Sequence, residues 1–85
     1  MAGKTIDDLM ALSEIIDNIQ PVSDRIAIIL YLQGWRIKDI SDNIADVFPE
    51  RGYTPSNVRG RIWLGVRRSM RELGYTEEEC KLVKL

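Results

Sequence analysis

Proline and glycine cut this chain into short lengths, and each length spaces its apolar residues three or four apart. The breaks fall at Pro21, Gly34, Pro49 with Gly52, Pro55 and Gly74, so no stretch between them exceeds about five helical turns. A chain divided in this way predicts an all-α fold, a small bundle of four to five helices. Its 85 residues supply a single core, since two cores of half that size would each bury too little surface.

The helices follow from local signals. Thr5 is suited to cap a first helix, with Asp7 and Asp8 in its first turn complementing the dipole. The apolar stripe of that helix is Ile6, Leu9, Met10, Leu12, Ile16 and Ile19. It ends before Pro21, because a residue preceding proline avoids the helical region. Pro21 opens a second helix at N1, with Ile26, Ala27, Ile29 and Leu30 as its apolar face and Gly34 as its left-handed C′ residue. A third helix spans Ile37–Val47 and buries Ile37, Ile40, Ile44 and Val47, and Phe48–Tyr53 is a loop. Thr54 at the N-cap and Pro55 at N1 give the clearest helix start in the chain, and that fourth helix runs to Leu73 before Gly74. Thr76 with three glutamates behind it predicts a short last helix, with Leu82, Val83 and Leu85 left to dock or fray.

The net charge of −1 averages over unlike segments. Residues 1–50 carry −5, residues 51–71 carry +6 and residues 72–85 carry −2. The basic block is Arg51, Arg59, Arg61, Arg67, Arg68 and Arg71, without one acid among them. Arginine is the residue suited to bidentate contacts with phosphate and guanine, so the block is a localised electrostatic footprint. A merely solvated face explains a charge run equally well.

Other chemistry is thin. The chain has no histidine and one cysteine, Cys80, which leaves no internal disulfide, no zinc-finger ligand set and no Cys/His nucleophile pair. Asp7-Asp8 and Glu77-Glu78-Glu79 sit at helix starts, where the dipole accounts for them, and no phosphate loop is present. The expectation is a protein that is not an enzyme, with no cofactor and no metal. Ile26 to Leu32 is the longest apolar run, well short of the roughly 20 residues that span a bilayer. With no secretory h-region either, the expected setting is cytoplasmic, without a membrane partner.

On a wheel of about 100° per residue, Val58, Ile62, Val66, Ser69 and Leu73 gather on one face of the fourth helix together with Gly65. That glycine would let another helix approach closely. Ser56, Gly60, Leu64, Arg67 and Arg71 lie opposite, with Asn57, Arg61 and Arg68 on one flank and Arg59 and Trp63 on the other. The exposed edge of the first half therefore shows Ser56, Asn57, Gly60 and Arg61, the composition a major-groove helix needs to read bases. Phosphate contacts would come from Arg67, Arg68 and Arg71, from Arg51 or Arg59, and from Thr54 and the N–H groups of the first turn. The wheel alone admits equally a basic amphipathic helix that packs on a protein partner.

Pro21, Arg25, Leu30-Tyr31-Leu32-Gln33-Gly34-Trp35, Asp39-Ile40-Ser41 and Asn57-Val58-Arg59-Gly60-Arg61-Ile62 occur in a telling order. Through them residues 21–71 resemble the region 4 helix-turn-helix of bacterial sigma factors, shared in outline with response-regulator DNA-binding domains. The resemblance implies one helix-turn-helix domain over residues 1–85, with its core at about 21–73 and a tail at 74–85. It implies double-stranded DNA as the partner and a role in transcription regulation. RNA polymerase would be a second partner, met through the apolar side of the second and third helices. Arg36 stands where that family commonly has a capping Ser or Thr. Ile40 to Val58 is 18 residues, longer than the family's short turn, which predicts a longer third helix or an extended, wing-like loop. From such a loop Arg51 and Tyr53 would touch the DNA backbone, against the plainer reading of a solvated loop. A chain of this length has no room for a promoter-melting domain, so the expectation is a stand-alone regulator of phage or mobile-element type, or a fragment.

Two other readings remain open on the sequence. One is a protein-interaction adapter or inhibitor acting on RNA polymerase or another transcription component, through Tyr31, Trp35, Trp63 and Leu64. In the plainer reading Trp35 caps the core at its helix junction. The other is a viral packaging or replication-initiator domain using the same motif on DNA. A homodimer on two half-sites fits either use of DNA.

Overall fold

Each break in the sequence is a break in the structure. The computed structural model describes residues 9–81, in which five helices follow one another: α1 (Leu9–Asp17), α2 (Val22–Leu32), α3 (Ile37–Val47), α4 (Pro55–Glu72) and α5 (Glu77–Lys81). A 3-10 turn, Pro49–Arg51, lies between α3 and α4, and there is no strand among the described residues. The fold is an all-α bundle. The Thr5 cap with Asp7 and Asp8, the stripe position Ile6, and Leu82, Val83 and Leu85 lie outside the described residues.

Two of the junctions are closed in the same way. Gly34 has φ 92° and Gly74 has φ 93°, the left-handed conformation that lets the chain turn out of a helix. Trp35 N–H donates to the Leu30 carbonyl and Gly34 N–H to that of Tyr31, both at 3.1 Å. Tyr75 and Gly74 repeat this pattern on Met70 and Arg71, at 3.0 and 3.1 Å. These bonds satisfy carbonyls that the last turns of α2 and α4 would otherwise leave unpaired.

Helix α4 is the spine, with α1, α2, α3 and α5 all packed on it. Its buried row is Val58, Ile62, Gly65, Val66, Ser69 and Met70. Gly65 lies on the buried side opposite Ile19, where a Cβ would stand 3.4 Å from the Ile19 methyl, an ordinary contact that does not itself require glycine. Ser69 Oγ donates to the Ile15 carbonyl at 2.6 Å in the interior, fastening α1 to the second half of α4.

The core differs in phase from the sequence expectation at four places. Along α1 the buried line is Ala11 and Ile15, continued after the helix by Ile19, while Met10 is 79% exposed, because α1 meets α2 and α4 along the Ile15 side. In α2 the buried residues are Ser23, Ala27 and Ile28, and Ile29 faces outward, since α1, α3 and α4 surround the helix from the Ile28 side. Val47 at the end of α3 is 61% exposed; Phe48 turns inward against the core in its place. Trp35 does not cap the core but stands 40% exposed. The boundary at Pro21 also shifts by one residue, because Pro21 is the extended N-cap of α2 rather than N1.

Candidate nucleic-acid interface

The start of α4 is built by a junction that fixes its direction. Gly52, at φ 68°, turns the chain out of the 3-10 segment, and Thr54 takes the N-cap in extended conformation. Thr54 Oγ1 accepts from Asn57 N–H at 3.3 Å, and Asn57 Oδ1 accepts from Thr54 N–H at 2.9 Å. This reciprocal pair is a capping box. The Asn57 amide also donates to the Gly52 carbonyl at 2.9 Å, and the Ser56 and Thr54 hydroxyls lie 3.0 Å apart.

The side chains expected to read bases have unequal freedom. Ser56 and Gly60 are exposed, and Asn57 and Arg61 are partly buried. Asn57 holds the junction with both ends of its amide, and the Thr54 hydroxyl is engaged in the same box. The cap and the first helical bonds take up the Asn57 and Val58 N–H groups, which narrows the anion site expected at this terminus.

Six arginines stand at or along α4, in three settings. Arg51, Arg61 and Arg68 line one open cleft of about 360 Å³ with Leu64 and Gly65, and Pro21, Asp24 and Glu50 complete its wall. Arg59 and Arg67 lie on the neighbouring flank, exposed, with the Arg67 guanidinium 5.9 Å from the Trp63 ring. Arg71 is different. It is paired with Glu77 of α5 through bonds of 2.7 and 3.3 Å, which hold the Glu77 carboxyl below its ordinary range and raise the guanidinium. Its charge is already balanced within the molecule.

Neither expected form of the long α3–α4 connection is present. Helix α3 ends at Val47, and the segment after it is a 3-10 turn packed on α3 rather than a projecting wing. Arg51 is exposed there, but Tyr53 is only 5% exposed. A contact between Tyr53 and the DNA backbone is therefore excluded. Its hydroxyl donates to the Asp24 carboxylate and is hydrogen-bonded to the Ser23 hydroxyl at 2.8 Å. Burial raises its pKa first, and the bond to Asp24 adds to this. Above the ring lies the Arg61 guanidinium, 4.4 Å from the centroid, within cation–π range. Ser23, Asp24 and Tyr53 are thus part of the site although nothing local marks them, their partners being about 30 residues apart in the chain.

A second surface has the opposite sign. Asp39, Asp42 and Asp46 recur along the outer side of α3 and share a cleft with Asn43 and Trp35. That cleft has no lining residue in common with the arginine cleft. Among the described residues no cluster of acids or cysteine is arranged to hold a metal ion, and no helix is long and apolar enough to cross a membrane.

Residues 23–46, which comprise most of α2 and α3, match a family described as "Putative ATPase subunit of terminase (gpP-like)". The matched stretch is less than a third of the chain. It contains Leu30-Tyr31-Leu32-Gln33-Gly34-Trp35 and Asp39-Ile40-Ser41, part of the residues that carry the region 4 resemblance, whereas Pro21 and residues 57–62 lie outside it. Its single glycine, Gly34, ends a helix rather than opening a phosphate loop. No curated protein and no solved structure matches the chain.

Proposed function

We propose that this chain binds double-stranded DNA, with the first half of α4 in the major groove, and that this binding serves packaging of viral DNA. The observation that supports it is the row of open arginines along α4, unbroken by any acid and set on a helix pair similar to a terminase family. Ser56, Gly60 and Arg61 face the base edges, while Asn57 holds the helix start. Arg51, Arg59, Arg67 and Arg68 bind phosphates on either side, with Thr54 at the helix end; Arg71 contributes only when released from Glu77. The terminase match favours packaging over a transcriptional role, which would use the same DNA surface and add a contact with RNA polymerase.

The test is duplex affinity as a function of salt. Four phosphate-binding arginines predict a log–log slope of about −3.6, and selection from random duplexes is expected to enrich a short site. A flat salt response with no enriched sequence refutes the proposal. A second reading has its own support. Ile29, Leu32 and Trp35 remain well exposed at the α2–α3 turn, a surface suited to an adapter on a larger assembly, for which binding would hardly respond to salt.

A further inference from the structure

We infer that Tyr53 is a positioning residue for DNA binding: its ring, clamped to α2, is the shelf that fixes the Arg61 guanidinium on the face that meets the duplex. The inference rests on the DNA-binding reading above and assigns the long connection before α4 a purpose. The connection is long enough to bring an aromatic ring under the first half of α4. Ser23 and Asp24 hold that ring from its hydroxyl end, and the ring is almost fully buried, so it has little freedom to move away. Arg61 lies over it at 4.4 Å, while its outer side opens on the cleft shared with Arg51 and Arg68. An unsupported arginine must give up its rotamer freedom when it binds, and a stacked one has lost much of it already. Arg61 is therefore the arginine best prepared for a geometrically demanding contact.

A double-mutant cycle tests this, with a short mixed-sequence duplex titrated into the full chain by fluorescence anisotropy at low salt. Tyr53→Leu is introduced into the wild-type, Arg61→Ala and Arg68→Ala proteins, with Tyr53→Phe as the conservative variant. The expected result is a loss of about three- to tenfold in the wild-type and Arg68→Ala proteins. No further loss is expected in Arg61→Ala, and Tyr53→Phe, which keeps the ring but loses its hydroxyl clamp, should fall between the wild type and Tyr53→Leu. An equal loss in all three backgrounds overturns the inference, because a purely structural role cannot distinguish Arg61 from Arg68. Should Tyr53→Leu fail to fold, the side-chain resonances of Arg61 in the wild-type protein decide. An upfield ring-current displacement that persists on adding duplex supports the shelf, and resonances that are undisplaced or lose the displacement on binding overturn it. Wild-type protein that binds no duplex overturns the DNA reading and this inference with it, whereas intact binding uncoupled from Tyr53 overturns the inference alone.

Discussion

Gly60 lies inside α4 on its exposed side, and a Cβ added there would meet nothing within 4 Å. Glycine within a helix costs about 0.8–1 kcal/mol relative to alanine, and with no clash to offset it Gly60→Ala recovers about that amount. For a domain of this size the gain corresponds to a rise in Tm of about 4–8 °C. The same methyl group stands between the helix backbone and the base edges it is proposed to approach. Loss of one good base contact costs about 1–3 kcal/mol, so affinity for a selected duplex should fall about five- to 150-fold. Gly65→Ala is the internal control. Its Cβ falls on the buried side, 3.4 Å from Ile19, an ordinary contact, so it controls for the stability gain of adding a methyl group to α4. Thermal melts followed by circular dichroism, paired with anisotropy titrations, read both effects. A lower Tm for Gly60→Ala refutes the helical account of this segment. A raised Tm with unchanged affinity shows that this face does not meet DNA.

Glu77→Gln removes the counter-charge from Arg71, so the salt slope of DNA binding should steepen by about one. The same pair has a pH signature. Because the folded protein lowers the Glu77 pKa, the pair's contribution is present above the ordinary carboxylate range and is lost as pH falls through the lowered value. An acid-side stability profile that is unchanged in Glu77→Gln contradicts the pair. Ser69→Ala deletes the buried bond to the Ile15 carbonyl and should lower stability by about 1–2 kcal/mol in denaturant titration; an unaltered midpoint would mean α1 is not anchored there. Gly34→Ala forces an L side chain to φ 92° and should cost about 1–2 kcal/mol, measured the same way.

Much of the architecture was legible because its signals are local. The Ile37–Val47 bounds of α3 are those the spacing predicts, and Thr54-Pro55 and Gly74 bracket α4 as their chemistry requires. Core phase was harder to read. Ile15-Ile16 and Ile28-Ile29 are adjacent apolar pairs in which either member suits the stripe, and only the neighbouring helices choose between them. Met70 escaped the wheel for a similar reason, lying at the edge of the buried row until α5 and Tyr75 close over that end of α4. At the site, arginine placement followed from periodicity, but three engagements did not. Tyr53 with Ser23 and Asp24 is a pairing across the fold, Arg71 with Glu77 spans a helix break, and the hold of Asn57 on Gly52 depends on a left-handed residue in the loop.

The three aspartates on the outer side of α3 also bear on how the molecule comes to its target. On the proposed reading a polyanion would be repelled by that flank and drawn to the arginine cleft, so an encounter in the wrong pose would be short-lived and the domain would be turned before it touches. Selectivity of this kind belongs to the approach rather than to the final complex, and it fades as ions shorten the reach of the field. It also makes each domain one-handed. On the proposed DNA-binding reading a single copy would grip one duplex and repel a second, so bridging two DNA segments would take two copies.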